Sequence, residues 1–288
     1  MVLEQLIANG IIAGGIYSLI AIGFSMTYGL LRFINIAHGS LYVIGAYLAF
    51  AFFAAGLPII AAFVLAVLGG ALCGVAMNLS VYKPLRSRKS NSLIMLLASL
   101  GIFIFVENLI IAVFGAEVKT IRTGPITQGF DVLGAIITQT QLTIIGVAIA
   151  TLILVEIFLA RTKTGKAMRA TSDNKDVAQV IGINVEKITL YTFALASALA
   201  ASAGVLIAIE QNLEPTMGLA AIIAGFTAAV IGGLGNIRGA VAGAFLLGLV
   251  ENIGIWFLPS GYKAAIAFVV LVIFLLFRPQ GLFGRKEA

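Results

Sequence analysis

The stretch LPIIAAFVLAVLGGALCGVAMNLS, residues 57–80, contains no charged residue in 24 positions. About 20 apolar residues are enough for a helix to cross the ~30 Å hydrocarbon layer of a bilayer. Similar runs recur along the chain, which is 61% hydrophobic and only 10% charged. A water-soluble domain carries about 25% charged residues. The sequence therefore predicts a membrane protein.

Hydrophobic continuity predicts up to nine spans. They lie near residues 6–31, 38–55, 57–80, 93–114, 141–160, 188–209, 218–235, 240–257 and 263–277. Each is expected to be an α-helix, because backbone polar groups inside lipid have no water partner. The region near 31–55 is either a full span or a re-entrant, broken segment, so the count is eight or nine. We therefore expect an all-α, polytopic transmembrane helix bundle that forms one domain over residues 1–288.

Basic residues are concentrated in three segments: the loop 83–91, the loop 161–187 and the tail after Phe277. Together these segments hold 13 of the 18 lysines and arginines. Loops rich in Lys and Arg stay in the cytoplasm, so all three segments and the C-terminus are expected there. Nine spans would place the N-terminus outside, and eight would place it inside. The same rule accounts for the net charge of +6 without a nucleic-acid partner.

Small residues recur at four-residue spacing within the predicted spans. This spacing puts both residues on one face of a helix and lets two backbones approach closely. The pairs are Gly10/Gly14, Gly70/Gly74, Gly225/Ala229 and Gly239/Gly243. They predict a tightly packed bundle.

A polar pentapeptide, Asn35-Ile36-Ala37-His38-Gly39, interrupts the apolar sequence and contains the only histidine. Its polar residues either break a helix to expose backbone groups to a substrate, or cap a helix and fasten a turn. The glycine-rich segment 232–245, with Asn236, loosely resembles this region. Glycine-interrupted segments at matching places in two halves indicate an inverted repeat with a binding region near the membrane midplane.

Three glutamates lie in apolar runs, where a charged group is costly and is a functional candidate by default. Glu107 and Glu251 are each followed by asparagine, and either line a pathway or lock helices together. Glu156 lies about one turn before Arg161 and is expected to pair with it or to reach the interface. A lone histidine without a cysteine cluster offers no metal site, and no catalytic residues are predicted.

The loop 161–187 contains the pattern of a short amphipathic helix. Asp173 is the expected N-cap, Asp176 the expected N3 residue and Gly182 the expected stop. The apolar residues Val177, Val180 and Ile181 follow at helical spacing. So short a helix is marginal alone in water, so it packs either on its own bundle or on a soluble partner.

Several separated motifs resemble one family, the permeases of branched-chain amino acid (LivH-type) ABC importers. The motifs are Tyr28-Gly29-Leu30 through Asn35-Ile36-Ala37-His38-Gly39, Gly165-Lys166-Ala167-Met168-Arg169-Ala170, Ala178 with Gly182-Ile183-Asn184, Phe193 through Ala200 with Gly204, Gly232 through Asn236, and Phe277 through Gly284. They occur in order over nearly the whole chain.

The resemblance implies a permease subunit of the bacterial-type inner membrane. Its partners would be a second homologous permease, two ATP-binding cassette subunits and an extracytoplasmic solute-binding protein. ATPase closure would be coupled through Gly165, Arg169, Ala178 and Gly182. The chain would bind no cofactor itself, since ATP belongs to the partners. Its one Gly-Lys pair, Gly165-Lys166, is followed by Ala167 and lacks the G-x-x-x-x-G-K-[ST] pattern of a phosphate loop.

Other functions stay open at the level of sequence. Urea, short amides or other amino acids are alternative solutes within the same family. A proton-coupled secondary transporter is the alternative class, with Glu107 or Glu251 as the proton site. A membrane scaffold that transports nothing is a third class, and the polar breaks in the spans argue against it.

Overall fold

The computed structural model of the chain describes residues 2–121, 129–132 and 134–284. The helices are α1 (Val2–Leu31), α2 (His38–Ala54), α3 (Ile59–Met77), α4 (Lys83–Ser87), α5 (Ser92–Phe114), α6 (Gln139–Arg161), α7 (Lys163–Asp173), α8 (Lys175–Val180), α9 (Val185–Glu210), α10 (Met217–Gly232), α11 (Ile237–Gly254) and α12 (Lys263–Phe277). A π-helical segment, Asn78–Tyr82, joins α3 to α4, and a 3-10 turn, Ser260–Tyr262, precedes α12. A short antiparallel hairpin pairs β1 (Phe130–Val132) with β2 (Ala135–Ile137). The predicted all-α bundle is confirmed.

Each of the nine predicted spans coincides with an apolar helix. Six helices of the described residues are long and apolar enough to cross a membrane by themselves: α1, α3 with its extension to Ser87, α5, α6, α9 and α11. Three shorter apolar helices, α2, α10 and α12, complete the set. Two basic residues of the tail, Arg285 and Lys286, lie outside the described residues.

The two ends of the bundle are distinguished by the contacts of α1 and α9. Arg32, just after α1, donates to the carbonyl oxygen of Ser172 in α7. We call this the basic end, because it also carries the loop 83–91. The side chain of Gln5 exchanges hydrogen bonds with the backbone of Ile136, at the opposite end. Helix α9 runs the other way, since Glu186 at its start pairs with Arg86 of the basic end.

A long helix followed by a break and a short helix occurs twice. Helix α1, residues 32–37 and α2 form the first unit, and α9, residues 211–216 and α10 form the second, in the opposite direction. The two short helices meet at their starts, where a Cβ on Gly39 would lie 2.6 Å from the carbonyl oxygen of Gly218. The counterpart of the first break is therefore 211–216. The predicted correspondence between the pentapeptide and Asn236 is wrong, because Asn236 follows the second short helix.

Glycine allows the long helices to approach to backbone contact. A Cβ on Gly14 would lie 2.8 Å from both the Cα and the side-chain Cδ1 of Phe245, so α1 and α11 touch there with no room for a side chain on α1. A Cβ on Gly70 or Gly74 would likewise meet Ala201 or Ser197 of α9. These contacts confirm that the small residues at four-residue spacing face other helices.

The tail after α12 folds back onto the end of α10. The backbone N–H of Leu282 donates to Ile231 at 2.7 Å, and that of Phe283 donates to Gly232 at 3.1 Å. The last carbonyls of a helix have no partner within the helix. The tail supplies that partner, so residues 278–284 are anchored at the basic end.

Candidate functional site

Helix α7 starts with a cap and a close contact. The Thr162 hydroxyl accepts a hydrogen bond from the backbone N–H of Gly165 at 2.9 Å. A Cβ at position 165 would collide with the backbone of Phe158 and Leu159. Gly165 therefore lets α7 turn tightly against the end of α6. Arg169 lies one turn further along α7 and is exposed.

Helix α8 begins at a different residue from the one predicted. Asn174 is the N-cap, and its side chain accepts from the backbone N–H groups of Asp176 and Val177 at 2.9 and 3.1 Å. Asp173 is instead the last residue of α7, so the prediction that it caps α8 is wrong. The extended backbone of Asn174 separates the two helices and leaves Asp173 on the first of them. Asp176 is correspondingly the second residue of α8 rather than the third.

The end of α8 follows the prediction. Gly182 has a φ of +87°, in the left-handed region that L side chains rarely adopt, and it ends the helix. Ala178 is buried on the side of α8 that faces the bundle. The other side of α8 is apolar and open, since Val177, Val180 and Ile181 are 57, 87 and 66% exposed.

A cluster of cations lies where this segment meets the bundle. Arg86 of α4 donates to Glu186 of α9 at 2.9 Å and to the side-chain oxygen of Asn78 at 3.0 Å. Lys175 at the start of α8 is half-buried nearby. Burial lowers the pKa of Lys175, and the positive charges of Arg86 and Arg32 lower it further. Glu186 and Asp176 act in the opposite direction.

The pentapeptide forms the break between α1 and α2. Asn35 is buried and accepts a hydrogen bond from the Tyr82 hydroxyl at 2.7 Å. His38 is the first residue of α2, and its Nε2 lies 3.3 Å from the carbonyl oxygen of Ile20 in the interior of α1. Gly23 makes room for this ring, since a Cβ there would lie 2.8 Å from it. Neither polar side chain caps α2, whose N-cap is Ala37.

The three acidic residues of the apolar runs have different surroundings. Glu251 is buried in α11 and accepts a hydrogen bond of 2.8 Å from the Tyr17 hydroxyl of α1. Glu107 lies half-buried on a different helix, α5. Glu156 is paired with Arg238 of α11, whose Nε donates at 3.0 Å. Of the two alternatives for Glu156, pairing with Arg161 is wrong, because the bundle brings α11 beside the end of α6. The Glu156 side chain is 43% exposed near the basic end.

Asn236 has two roles at the basic end. Its side-chain oxygen accepts from the N–H of Gly239 at 3.0 Å and caps α11. Its side-chain nitrogen donates to the carbonyl oxygen of Phe283 in the tail, also at 3.0 Å. The residue therefore ties the loop between α10 and α11 to the tail.

A cavity of about 880 Å³ opens at the basic end, between α1, α6, α7, α11 and the tail. Three residues singled out from the sequence, Glu156, Arg169 and Asn236, lie in its wall. The other predicted site residues do not line it. Asn35, His38 and Gly39 are in the bundle interior, Gly165 is in the first turn of α7, Ala178 and Gly182 are on α8 and just after it, and Glu107 and Glu251 are on separate helices. Arg32 and Ser172 also line the cavity, and sequence reasoning missed them there. No local pattern signals that they meet, since they are 140 residues apart.

Comparison with known proteins identifies one family. Residues 6–275 match the family described as branched-chain amino acid transport system / permease component. The chain is 36% identical to the high-affinity branched-chain amino acid transport system permease protein BraD of Pseudomonas aeruginosa, with 99% of this chain and 96% of that protein covered. It is 34% identical to LivH of Escherichia coli K12, with coverages of 98 and 96%.

A third relative extends the similarity. The probable branched-chain amino acid transport permease protein LivH of Methanocaldococcus jannaschii is 31% identical, over 98% of this chain and 93% of that protein. Both the family match and these identities cover almost the entire helix bundle. The chain therefore belongs to the permease component family of branched-chain amino acid transport systems.

Proposed function

We propose that this chain is the permease subunit of an ABC importer that carries branched-chain amino acids across the inner membrane. Family membership supports the permease role, and the printed names of the relatives support the solute class. Permeases of this family work with ATPase and solute-binding partners. We assign ATP hydrolysis to those partners, so this chain would be a transport subunit that holds no cofactor of its own.

The open apolar side of α8 is the observation that supports binding of the ATPase at this end. Val177, Val180 and Ile181 project from the basic end, where the neighbouring loops are rich in Lys and Arg. Exposed apolar side chains grouped on one surface are typical of a binding site for another protein. The Asn174 cap and Gly182 give the short helix defined ends, so it presents these side chains in a fixed arrangement.

The contacts of α7 and α8 provide a route from this surface into the bundle. Gly165 sets α7 against the backbone of α6, and Ser172 contacts both Gly29 and Arg32 at the end of α1. Glu186, paired with Arg86, lies in the first turn of α9, the next helix after α8. A displacement of α8 by a partner would therefore act on α1, α6 and α9 together. We assign the coupling role to Gly165, Arg169, Ala178 and Gly182 on this basis.

The orientation follows from the charges. The basic end carries the loop 83–91 and the segment 161–187, so we place it in the cytoplasm together with the C-terminus. The N-terminus and the β-hairpin then face the outside, where the solute-binding protein would dock. We propose two ATPase subunits and a second homologous permease as the remaining partners.

Uptake in proteoliposomes tests this function. Leucine uptake is measured with the chain alone and with its sister permease, ATPases and binding protein. We expect uptake only in the complete mixture supplied with ATP. Uptake by the chain alone that follows a proton gradient would instead establish a secondary transporter, and the buried Glu251 would then be its first candidate proton site. ATP-driven uptake of urea or amides without leucine would correct the solute class alone.

A pair of matched variants tests the α8 surface. Val180→Asp places a charge on the exposed side of α8, and Val118→Asp makes the same change at an exposed position of the opposite end. We expect Val180→Asp to lose co-purification of the ATPase and Val118→Asp to retain it, with both chains inserted in the membrane. Equal ATPase recovery in the two variants would contradict this surface as the docking site.

A further inference from the structure

The cavity at the basic end has a mixed lining of both charges and apolar side chains. Arg32, Arg169 and Arg238 contribute positive charge, and Glu156 and Asp173 contribute negative charge. Leu234, Ile237 and Phe283 contribute apolar surface, and Phe283 is 54% exposed. A volume of about 880 Å³ lies within the ~300–1,000 Å³ range of small-molecule sites.

The charged groups leave specific bonding positions open toward the cavity. Both hydrogen bonds from Arg238 go to Oε1 of Glu156, and Oε2 of that carboxylate remains for a second donor. Arg32 donates one bond of 3.3 Å, from Nη2 to the backbone oxygen of Ser172. A guanidinium has five N–H donors, so Arg32 keeps donors for an anionic group.

The backbone of Arg32 is held in an uncommon conformation. Its φ is +56°, in the left-handed region that is unfavourable for a long side chain. Among the described residues other than glycine, Lys89 alone shares this feature, with a φ of +53°. Lys89 does not line the cavity, so it offers a matched control for the charge and for the backbone.

We infer that this cavity binds an aliphatic α-amino acid as a zwitterion, entering from the basic end. Its carboxylate meets Arg32 and Arg169, its ammonium meets Oε2 of Glu156, and its side chain packs on Leu234 and Phe283. The inference rests on the proposed function, because the ligand is the transported solute after its delivery to the cytoplasm. Amino acid accumulated in the cytoplasm then occupies this site and slows further import.

The charge pattern favours a zwitterion over a lipid phosphate. A phosphate headgroup requires cations, and the two carboxylates of the cavity would repel it. A zwitterion uses both signs of charge at once. Removing one charge-assisted hydrogen bond to a ligand costs about 1.5–3 kcal/mol. A single arginine substitution is therefore expected to weaken binding by about tenfold or more.

The test measures binding of radiolabelled L-leucine to the full chain in nanodiscs of neutral phosphatidylcholine, without the binding protein. We expect saturable binding that L-isoleucine and L-valine compete. Leucinamide lacks the carboxylate and isocaproate lacks the ammonium, so neither should compete. Arg32→Asn, whose new residue tolerates a positive φ, and Arg169→Gln should each weaken binding about tenfold or more. Lys89→Asn should leave it unchanged.

The outcomes separate this inference from the proposed function. The complete transporter is assayed in parallel for ATP-driven uptake, with and without leucine loaded on the ATPase side. Normal uptake together with no saturable binding to the chain overturns the inference and leaves the transport function intact. Binding that is equal in Arg32→Asn, Arg169→Gln and Lys89→Asn also overturns it. Retention of added phosphatidylglycerol, lost in the arginine variants and accompanied by no leucine binding, assigns the cavity to a lipid headgroup instead.

Discussion

The Tyr82 hydroxyl donates a 2.7 Å hydrogen bond to Oδ1 of Asn35, and both side chains are buried. This bond links the break after α1 to the π-helical segment between α3 and α4. A break inside a membrane protein exposes polar groups that must find partners within the protein. Asn35 therefore holds the break to a neighbouring helix, which is the fastening role considered for it from the sequence.

Replacement of Tyr82 tests this fastening. Tyr82→Phe removes the donor and leaves the buried Asn35 oxygen without it, so we expect a loss of about 1–3 kcal/mol in the free energy of unfolding. The measurement is thermal unfolding of the purified chain in detergent. Tyr191→Phe removes an exposed hydroxyl and serves as the control. Equal midpoints for the two variants would contradict the role of the bond.

The glycine contacts of α1 predict a position-dependent effect of one methyl group. Gly14→Ala places a Cβ 2.8 Å from the Cα of Phe245, so α1 and α11 must separate. We expect a destabilisation of about 1–3 kcal/mol, as for other overpacked sites. Gly101→Ala meets no atom within 4 Å and should be neutral or stabilising by up to about 1 kcal/mol, because alanine favours the helix. Unfolding midpoints of both variants decide between these outcomes.

Gly182 allows backbone conformation and docking space to be tested separately. A Cβ there meets nothing within 4 Å of the chain itself, so any penalty within the subunit comes from its φ of +87°. Asparagine tolerates this region and valine does not. If conformation alone matters, Gly182→Asn retains ATP-driven uptake and Gly182→Val loses most of it. Loss in both variants, with normal insertion, would mean that the docked ATPase occupies the space beside Gly182. Full uptake by Gly182→Val would contradict the coupling role.

The lowered pKa of Lys175 predicts that the stability of the folded chain depends on pH. Its pKa is lowered in the folded protein by burial and then by Arg86 and Arg32, so the unfolded chain holds the proton more tightly. Stability rises with pH wherever the unfolded state binds more protons, which here lies between the lowered pKa and the ordinary 10.5. Lys175→Met should therefore raise the unfolding midpoint near neutral pH. The advantage of Lys175→Met should shrink as the pH approaches 10.5.

Lys163→Met, at an exposed position, controls for the removal of one positive charge. A difference between Lys175→Met and the parent that does not change with pH would contradict the prediction.

Two substitutions of Asn236 are expected to separate its capping of α11 from its anchoring of the tail. Asn236→Asp keeps an oxygen that accepts from Gly239 but loses the N–H that donates to Phe283, so the cap remains and the tail is released. Asn236→Ala loses both bonds and should cost about 1 kcal/mol more for the missing cap. Limited proteolysis reports the tail, and thermal unfolding reports the cap. Similar proteolysis of the parent and Asn236→Asp would show that the tail is held by its backbone bonds to Ile231 and Gly232 alone.

The existence of the helices was predictable from the sequence, because hydrophobic length is a local property. The nine predicted spans coincide with apolar helices, and Gly182 ends α8 as expected. The cap of α8 was misplaced by one residue, from Asn174 to Asp173. Either residue is a good N-cap, so side-chain type alone did not distinguish them.

The pairing of distant residues was decided only by the tertiary structure. The spans are apolar on all sides, so no hydrophobic face in the sequence indicates which helix each one contacts. Close contacts at glycine residues pack α1 against α11. This arrangement places Arg238, rather than Arg161, beside Glu156. The same packing set the break 32–37 opposite the start of α10 and enclosed the cavity that Arg32 and Arg169 line. The sequence by itself determined a membrane bundle with an amphipathic basic-end segment, because apolar length and charge are read locally. The site depends on contacts across the bundle, because its charged groups come from helices far apart in the chain.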